Sequence, residues 1–199
     1  MSMMRGFFTV GFWTLVSRVL GFVRDVFIAG ALGATPVAEA FVLAFSLPNL
    51  FRRFFAEGAF NMAFVPMFSK KLASGDRPLV FASDAISMLA LVLIVLNATA
   101  MLAMPYLVWI MASGFVGDER FDLTVLFGRI AFPYIIFISL AALASGVLNS
   151  AGRFVAAAAA PVLLNICFIA ALFAADWAGW NVGLTLAWCV PVAGVAQFA

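Results

Sequence analysis

The chain has no histidine and only two cysteines, and charged residues make up 10% of its 199 residues. Without histidine there is no imidazole base for a Ser-His or Cys-His pair and no imidazole ligand for zinc. Cys167 and Cys189 both lie inside apolar segments, so we expect two packed free thiols and no disulfide framework. Acid pairs suited to holding Mg²⁺ are also missing. We therefore predict that the protein is not an enzyme and has no metal site.

Long apolar segments dominate what is present. Hydrophobic residues make up 66% of the chain, and its charged fraction lies far below the roughly 25% of soluble domains. This composition predicts an integral membrane protein. The apolar segments are long and continuous, which favours all-α spans over the short alternating strands of a β-barrel. The net charge of +2 is too small to indicate a nucleic-acid partner.

A membrane-spanning helix needs about 20 apolar residues, and turn-forming residues separate segments of about that length. We predict six helices, at about 6–31, 37–68, 82–111, 124–149, 154–175 and 182–199. The second helix is too long to cross the membrane upright, so we expect it to bend at Pro48 or Gly58.

Loop charges predict the orientation, because cytoplasmic loops carry an excess of lysine and arginine. One side of the predicted bundle has Arg5, Lys70, Lys71, Arg77 and Arg153, whereas the opposite loops are mainly acidic. The amino terminus is therefore expected in the cytoplasm. The last apolar segment runs into the end of the chain without a polar flank. We expect residues 1–199 to be one amino-terminal transmembrane lobe of a longer protein, with the second lobe absent.

Ionisable residues are concentrated in or at the edges of the first two predicted helices. They are Arg18, Arg24, Asp25, Glu39, Arg52, Arg53 and Glu57. A charge in the hydrocarbon core costs at least about 2.5–3.5 kcal/mol, so such residues mark functional sites by default. The set contains four arginines and three acids, so one positive charge is left uncompensated. The asymmetry predicts a polar cavity that handles an anionic ligand.

The spacing of these residues places them on common helix faces. In the first helix Ser17, Arg18, Arg24 and Asp25 share about one third of the circumference. Arg18 and Asp25 lie roughly 10 Å apart along the axis, so we expect the arginines to take partners from other helices, water or a ligand. In the second helix Glu39, Asn49, Arg53 and Glu57 form one face, and Arg53 and Glu57 have the spacing of a direct pair.

Two simpler interpretations compete with a ligand site. Arginines near helix ends can extend to the lipid headgroups. This interpretation explains the position of Arg5, and it is one explanation for Arg129. A structural ion-pair network could also lock the first two helices together. Arg18 and Arg24 lie in midspan and fit the first interpretation poorly. The basic residues are arginines, whose planar guanidinium binds phosphate in a bidentate manner, and this favours a diphosphate ligand.

Two longer motifs resemble the MurJ (MviN) family of bacterial lipid II flippases. They are SRVLGFVRD at 17–25 and LPNLFRRFFAEGAF at 47–60, and weaker similarity extends over essentially the whole chain. The resemblance implies an all-α integral membrane protein with the MATE-like fold of the exporter superfamily. In that fold two six-helix lobes enclose a cationic cavity, and this chain would supply the amino-terminal lobe.

The resemblance also implies roles for individual residues. Arg18, Arg24 and Arg52 match the cavity arginines that the family requires for function. The positions that match the cavity lining or its gates are Ser17, Asp25, Ala29 and Glu57. Glu39 stands where relatives commonly carry aspartate. Arg53 and Asn49 join the site on the helix-face argument alone, Arg53 as a substrate-binding residue and Asn49 as a cavity residue.

The implied function is to flip lipid II from the cytoplasmic to the periplasmic leaflet of the bacterial inner membrane by alternating access. Its partners would be lipid II and membrane lipids, with cell-wall synthesis proteins left open. No cofactor is expected beyond a membrane potential or a coupling ion. The alternatives are a flippase for another polyprenyl-diphosphate glycan, a cation-coupled drug exporter, and a non-transporting scaffold of the cell-wall machinery. A membrane glycosyltransferase would need an acidic catalytic loop that the sequence lacks.

Overall fold

A computed structural model describes residues 3–53, 59–153 and 155–199, with side chains from residue 8 onward except 59–61. This part of the chain is helical and contains no strand. The helices are α1 (Met3–Leu32), α2 (Pro36–Arg52), α3 (Ala59–Ser74), α4 (Pro78–Leu102), α5 (Met104–Met111), α6 (Glu119–Ala131), α7 (Tyr134–Ser150), α8 (Val155–Ala178) and α9 (Val182–Phe198). A single 3₁₀ turn at Ser113–Phe115 precedes α6.

The turn between α1 and α2 shows how local sequence sets the helix ends. Gly33 adopts a φ of 60°, a conformation that glycine takes without steric cost, and its N–H donates to the Ala29 carbonyl at 2.9 Å. Thr35 then caps α2, because its hydroxyl oxygen accepts from the Ala38 N–H at 3.3 Å and donates to the Leu32 carbonyl at 2.9 Å. Pro36 follows at the first helical position, where its missing N–H is not needed.

Two predicted spans are interrupted. The predicted segment 37–68 overlaps α2 and the first part of α3, and α2 continues past Pro48 to Arg52; Gly58, the other expected bend, lies outside the described residues. Segment 82–111 contains α4 and α5, and segment 124–149 contains most of α6 and α7. Three described helical stretches are long and apolar enough to cross a membrane, namely 78–102, 119–150 and 155–178. The count of six spans stays a prediction.

The break between α4 and α5 has a specific cause. Pro105 has no N–H, so the Met101 carbonyl loses the donor that a continuous helix would supply. The Arg129 side chain of α6 replaces that donor, with its Nε 3.1 Å from the Met101 carbonyl oxygen. Arg129 therefore has a partner within the bundle and satisfies a backbone group that lipid could not.

Packing is organised around α9 and α7. Helix α9 contacts α8, α7, α6 and α2, while α7 also contacts α3 and α4. One apolar cluster lies on the α3–α4–α7 side and includes Phe68, Leu93 and Leu143. A second lies between α2, α6, α8 and α9 and includes Phe127 and Phe168. Helix α1 lies at the edge of this arrangement and packs mainly against α8.

Candidate functional site

Arg24 is held between α1 and α8. Its Nε and one Nη donate to Asp25 Oδ1 at 2.9 and 2.7 Å, and its other Nη donates to Asn165 Oδ1 at 3.0 Å. The guanidinium carbon lies 5.6 Å from the centroid of the buried Phe168 ring, within cation–π range. The Arg24 side chain is only 18% exposed, against 65% for Asp25. This guanidinium has a defined orientation.

The partners of Arg24 differ in part from the sequence-based expectation. The sequence predicted partners on other helices, in water or on a ligand, and one of the two acceptors, Asn165, does lie on another helix. The other is the adjacent residue Asp25, so the expectation was wrong on this point. Adjacent residues of a helix point in different directions, but the long arginine side chain folds back to reach the Asp25 carboxylate.

Asn165 was not identified as a site residue from the sequence. It is 4% exposed, and its Nδ2 donates to the Ser17 carbonyl at 2.9 Å. One amide therefore joins α8 to α1 at two points. The available signal was an asparagine inside the otherwise apolar segment of α8, where a polar side chain needs a partner.

A cavity of about 400 Å³ lies beside Arg24, between α1, α2 and α8. Arg24, Asp25 and Ala29 form one part of its wall, and most of the remainder is apolar and includes Phe41 and Phe45. The two leading helices do not enclose it alone, because α1 packs mainly on α8 and α2 mainly on α6. Phe168 of α8 thus forms part of the wall of this cavity, together with residues of α1 and α2.

Arg18 and Ser17 line a different cavity, of about 610 Å³. Asn149 from the end of α7 and Pro161 from α8 line it as well. The Arg18 side chain is exposed, and no hydrogen-bond or ion-pair partner for it occurs among the described side chains. An exposed guanidinium without an acid partner is available to an anion.

Arg52, at the end of α2, borders two cavities. One, of about 510 Å³, has several hydroxyl and amide groups in its wall, including Ser69, Ser145, Asn149 and Gln197. The other, of about 520 Å³, is lined by Asn49, Arg52 and Arg53 among others. The first cavity thus places neutral donors and acceptors in the same wall as Arg52, and the second places Arg53 beside it. Glu57, the expected partner of Arg53, lies outside the described residues.

These four cavities adjoin one another. Asn149 and Pro161 border both the Arg18 cavity and the 510 Å³ cavity at Arg52. Arg52 itself borders this cavity and the 520 Å³ cavity. Phe45 and Val42 border both the Asn49 cavity and the Arg24 cavity. The predicted arginines therefore line neighbouring cavities that share wall residues. Guanidinium groups in these walls can bind a phosphate-bearing group by charge-assisted hydrogen bonds.

Glu39 lies apart from the arginines of α1 and binds Arg120 instead. Arg120 donates to Glu39 Oε2 at 2.8 Å and to Asp118 Oδ2 at 2.8 Å through its Nε, and its guanidinium carbon lies 4.6 Å from the Phe115 ring centroid. The hydrogen bonds from Arg120 lower the pKa of the Asp118 carboxyl. No partner for Glu39 was predicted from the sequence, and the structure shows that Glu39 links the first turn of α2 to the first turn of α6.

The described residues contain no group of three or more histidine, cysteine, aspartate or glutamate side chains that could hold a metal ion. The roles assigned to individual site residues and the expectation of no cofactor remain predictions.

Comparison with known proteins identifies similar chains. The family model described as "Lipid II flippase MurJ" matches residues 28–199. A protein of Rhizobium tropici named "Probable lipid II flippase MurJ" is 48% identical over all of this chain. A protein of Burkholderia cenocepacia named "Lipid II flippase MurJ" is 46% identical, also over all of this chain.

The structural comparison agrees in fold. A solved structure titled "Lipid II flippase MurJ, inward closed conformation" superposes with a TM-score of 0.77 and 28% identity over 95% of this chain. The prediction of an all-α membrane protein with a MATE-like fold is confirmed by this match. The chain spans 39% of the length of the two relatives and 40% of the solved chain.

Proposed function

Because the chain belongs to the lipid II flippase MurJ family, we propose that it forms the arginine-lined lobe of a transporter that flips lipid II from the cytoplasmic to the periplasmic leaflet. The protein is a multi-pass membrane protein. The proposed orientation places the amino terminus in the cytoplasm. Lys70 and Lys71 lie near the end of α3 and Arg153 lies in the turn before α8, and the side with more lysine and arginine is the cytoplasmic one. The proposed activity is that of a protein of the relatives' length, of which this chain spans 39%.

One observation carries the proposal: Arg18, Arg24 and Arg52 border adjoining cavities. A diphosphate group needs several charge-assisted donors to replace its hydration when it leaves water. Arg18 is exposed and offers the first contact, and Arg52 shares a cavity wall with hydroxyl and amide groups that can add neutral hydrogen bonds. Arg24 is bound to Asp25, so a phosphate must share or replace that carboxylate. The sugar–diphosphate headgroup would thus move along the cavities while its lipid tail stays in the bilayer.

Movement between two open states would supply the transport cycle. A headgroup anion that binds one state more tightly than the other shifts the balance between them. Unpaired charges within the span also couple that balance to the membrane potential, by up to about 2.3 kcal/mol per charge per 100 mV. The family, and not the cavity geometry, supports lipid II as the substrate; the arginines support an anionic headgroup of any polyprenyl-diphosphate glycan.

The test is complementation of a strain depleted of its own flippase by the full-length protein. Arg24→Ala and Arg52→Ala should abolish growth at normal protein levels, and Arg52→Lys should restore it only in part, because an ammonium cannot replace the bidentate guanidinium. Arg77→Ala, which removes an arginine from the exposed turn before α4, is the matched control and should grow normally. Normal growth of both cavity variants would refute the role of these arginines in transport, and failure of the wild-type protein to restore growth would favour the scaffold.

A further inference from the structure

Asn165 uses both polar atoms of its side chain, although it lies within an apolar helix. Its Oδ1 accepts from Arg24 at 3.0 Å, and its Nδ2 donates to the Ser17 carbonyl at 2.9 Å. The residue is 4% exposed, so water does not compete effectively for either bond. The bond to the Ser17 carbonyl therefore fixes the amide, and the fixed amide oxygen restricts the position of the Arg24 guanidinium.

Gly21 permits this close approach of α8 to α1. A Cβ atom at Gly21 would lie 3.6 Å from Asn165 Nδ2 and 3.8 Å from its Oδ1, which is ordinary contact distance. A longer side chain at that position would extend into the amide. A glycine or an alanine at position 21 therefore leaves room for the amide between the Ser17 carbonyl and the Arg24 guanidinium, and a larger residue does not.

The chemistry of the two acceptors on Arg24 differs. Asp25 contributes a carboxylate, which binds the guanidinium tightly and also cancels its charge. Asn165 contributes a neutral amide oxygen, which orients one Nη atom and leaves the positive charge available. When an anion replaces the exposed Asp25 carboxylate, the bond to Asn165 can persist and keep the guanidinium in place.

We infer that Asn165 is a positioning residue that pre-organises Arg24 for a phosphate of the transported headgroup. This inference rests on the proposed function for the identity of the anion, and on the two hydrogen bonds for the positioning. A pre-organised donor binds more tightly because less freedom is lost on binding. Asn165 itself does not touch the substrate in this account; it acts through Arg24.

The transport test uses full-length protein in liposomes, with the translocation rate measured against lipid II concentration. Asn165→Ala should raise the half-saturating concentration by up to roughly tenfold, the cost expected when one long side chain must be ordered on binding, and leave the maximal rate nearly unchanged. Asn165→Asp should raise it further, because a second carboxylate competes with the phosphate. Asn97→Ala is the matched control: Asn97 contacts Met101 on its own helix, and its loss should not alter the half-saturating concentration.

The same substitution in an Arg24→Lys background separates positioning from a general packing role. If Asn165 acts through Arg24, Asn165→Ala should add little to the effect of Arg24→Lys. An equal loss in both backgrounds, or a lower maximal rate at an unchanged half-saturating concentration, would overturn the inference.

A spectroscopic measurement tests the positioning without transport. In ¹⁵N-arginine-labelled protein that carries Asp25→Ala, so that the carboxylate no longer restrains the guanidinium, the bond to Asn165 should give Arg24 separate Nη signals, which Asn165→Ala should average and Asn97→Ala should leave intact. Separate signals in both variants would refute the restraint. If the restraint is present but the wild-type protein moves no lipid II, the flippase assignment fails while the positioning of Arg24 by Asn165 stands.

Discussion

Gly183, in the first turn of α9, lies where α9 meets α2 and α6. An alanine Cβ at this position would lie 2.5 Å from Val37 Cγ1 and 3.0 Å from Phe127 Cζ. Phe127 is 1% exposed, so its ring has little space into which it can retreat. Gly183→Ala therefore requires the Val37 side chain, the Phe127 ring or α9 itself to shift.

The expected magnitude follows from two opposing terms. Overpacking of a buried site costs about 1–3 kcal/mol, whereas exchanging glycine for alanine in a helix gains up to about 1 kcal/mol. Gly11→Ala in α1 is the matched control, because no described heavy atom lies within 4 Å of its added Cβ. The propensity term is similar in both variants, so the difference between them reports the packing cost at Gly183.

The assay is thermal unfolding of the purified protein in detergent, followed by circular dichroism. For a chain of this size about 1 kcal/mol moves the unfolding midpoint by about 2–4 °C. Gly183→Ala should therefore unfold roughly 2–12 °C below Gly11→Ala. Equal midpoints, or a higher midpoint for Gly183→Ala, would show that α9 does not pack against Val37 and Phe127 as described.

Two further predictions concern polar contacts at helix ends. Arg120 lowers the pKa of the Asp118 carboxyl. The ionised carboxylate therefore stabilises the fold at pH values above the ordinary aspartate pKa of about 4. This stabilisation is lost as the pH falls through the lowered pKa. Asp118→Asn should therefore flatten the decline of the unfolding midpoint on acidification below about pH 5; parallel curves for the two proteins would contradict it. Arg129→Leu removes the donor to the Met101 carbonyl, so amide hydrogen exchange around the α4–α5 break should become faster. Arg153→Leu, in the exposed turn before α8, should leave that exchange unchanged, and equal exchange in both variants would argue against the contact.

The fold class was predictable because it depends on composition. A chain in which 66% of residues are hydrophobic, arranged in long segments, forms helices wherever backbone groups must be satisfied without water. The motifs around Arg18 and Arg52 predicted the family. The breaks at Pro105 and Pro133 were not predicted, since proline in a membrane helix is tolerated when neighbours satisfy the freed carbonyl, as Arg129 does.

The contacts of the site depended on tertiary packing and were less predictable. A helical wheel places Arg24 and Asp25 on the same face but does not show that the arginine side chain folds back on its neighbour. The partner of Glu39 is 81 positions away in sequence, and the partner of Ser17 and Arg24 is on α8. Spacing within one helix carries no information about such pairs.

Translocation of the lipid II headgroup by the full-length protein in liposomes tests the central claim most directly. The wild-type protein should move the headgroup to the opposite leaflet faster than empty liposomes do. A variant that combines Arg18→Ala, Arg24→Ala and Arg52→Ala should be no faster than empty liposomes. Equal rates for the wild-type protein and the triple variant would contradict the account, as would a wild-type rate that does not exceed the empty control.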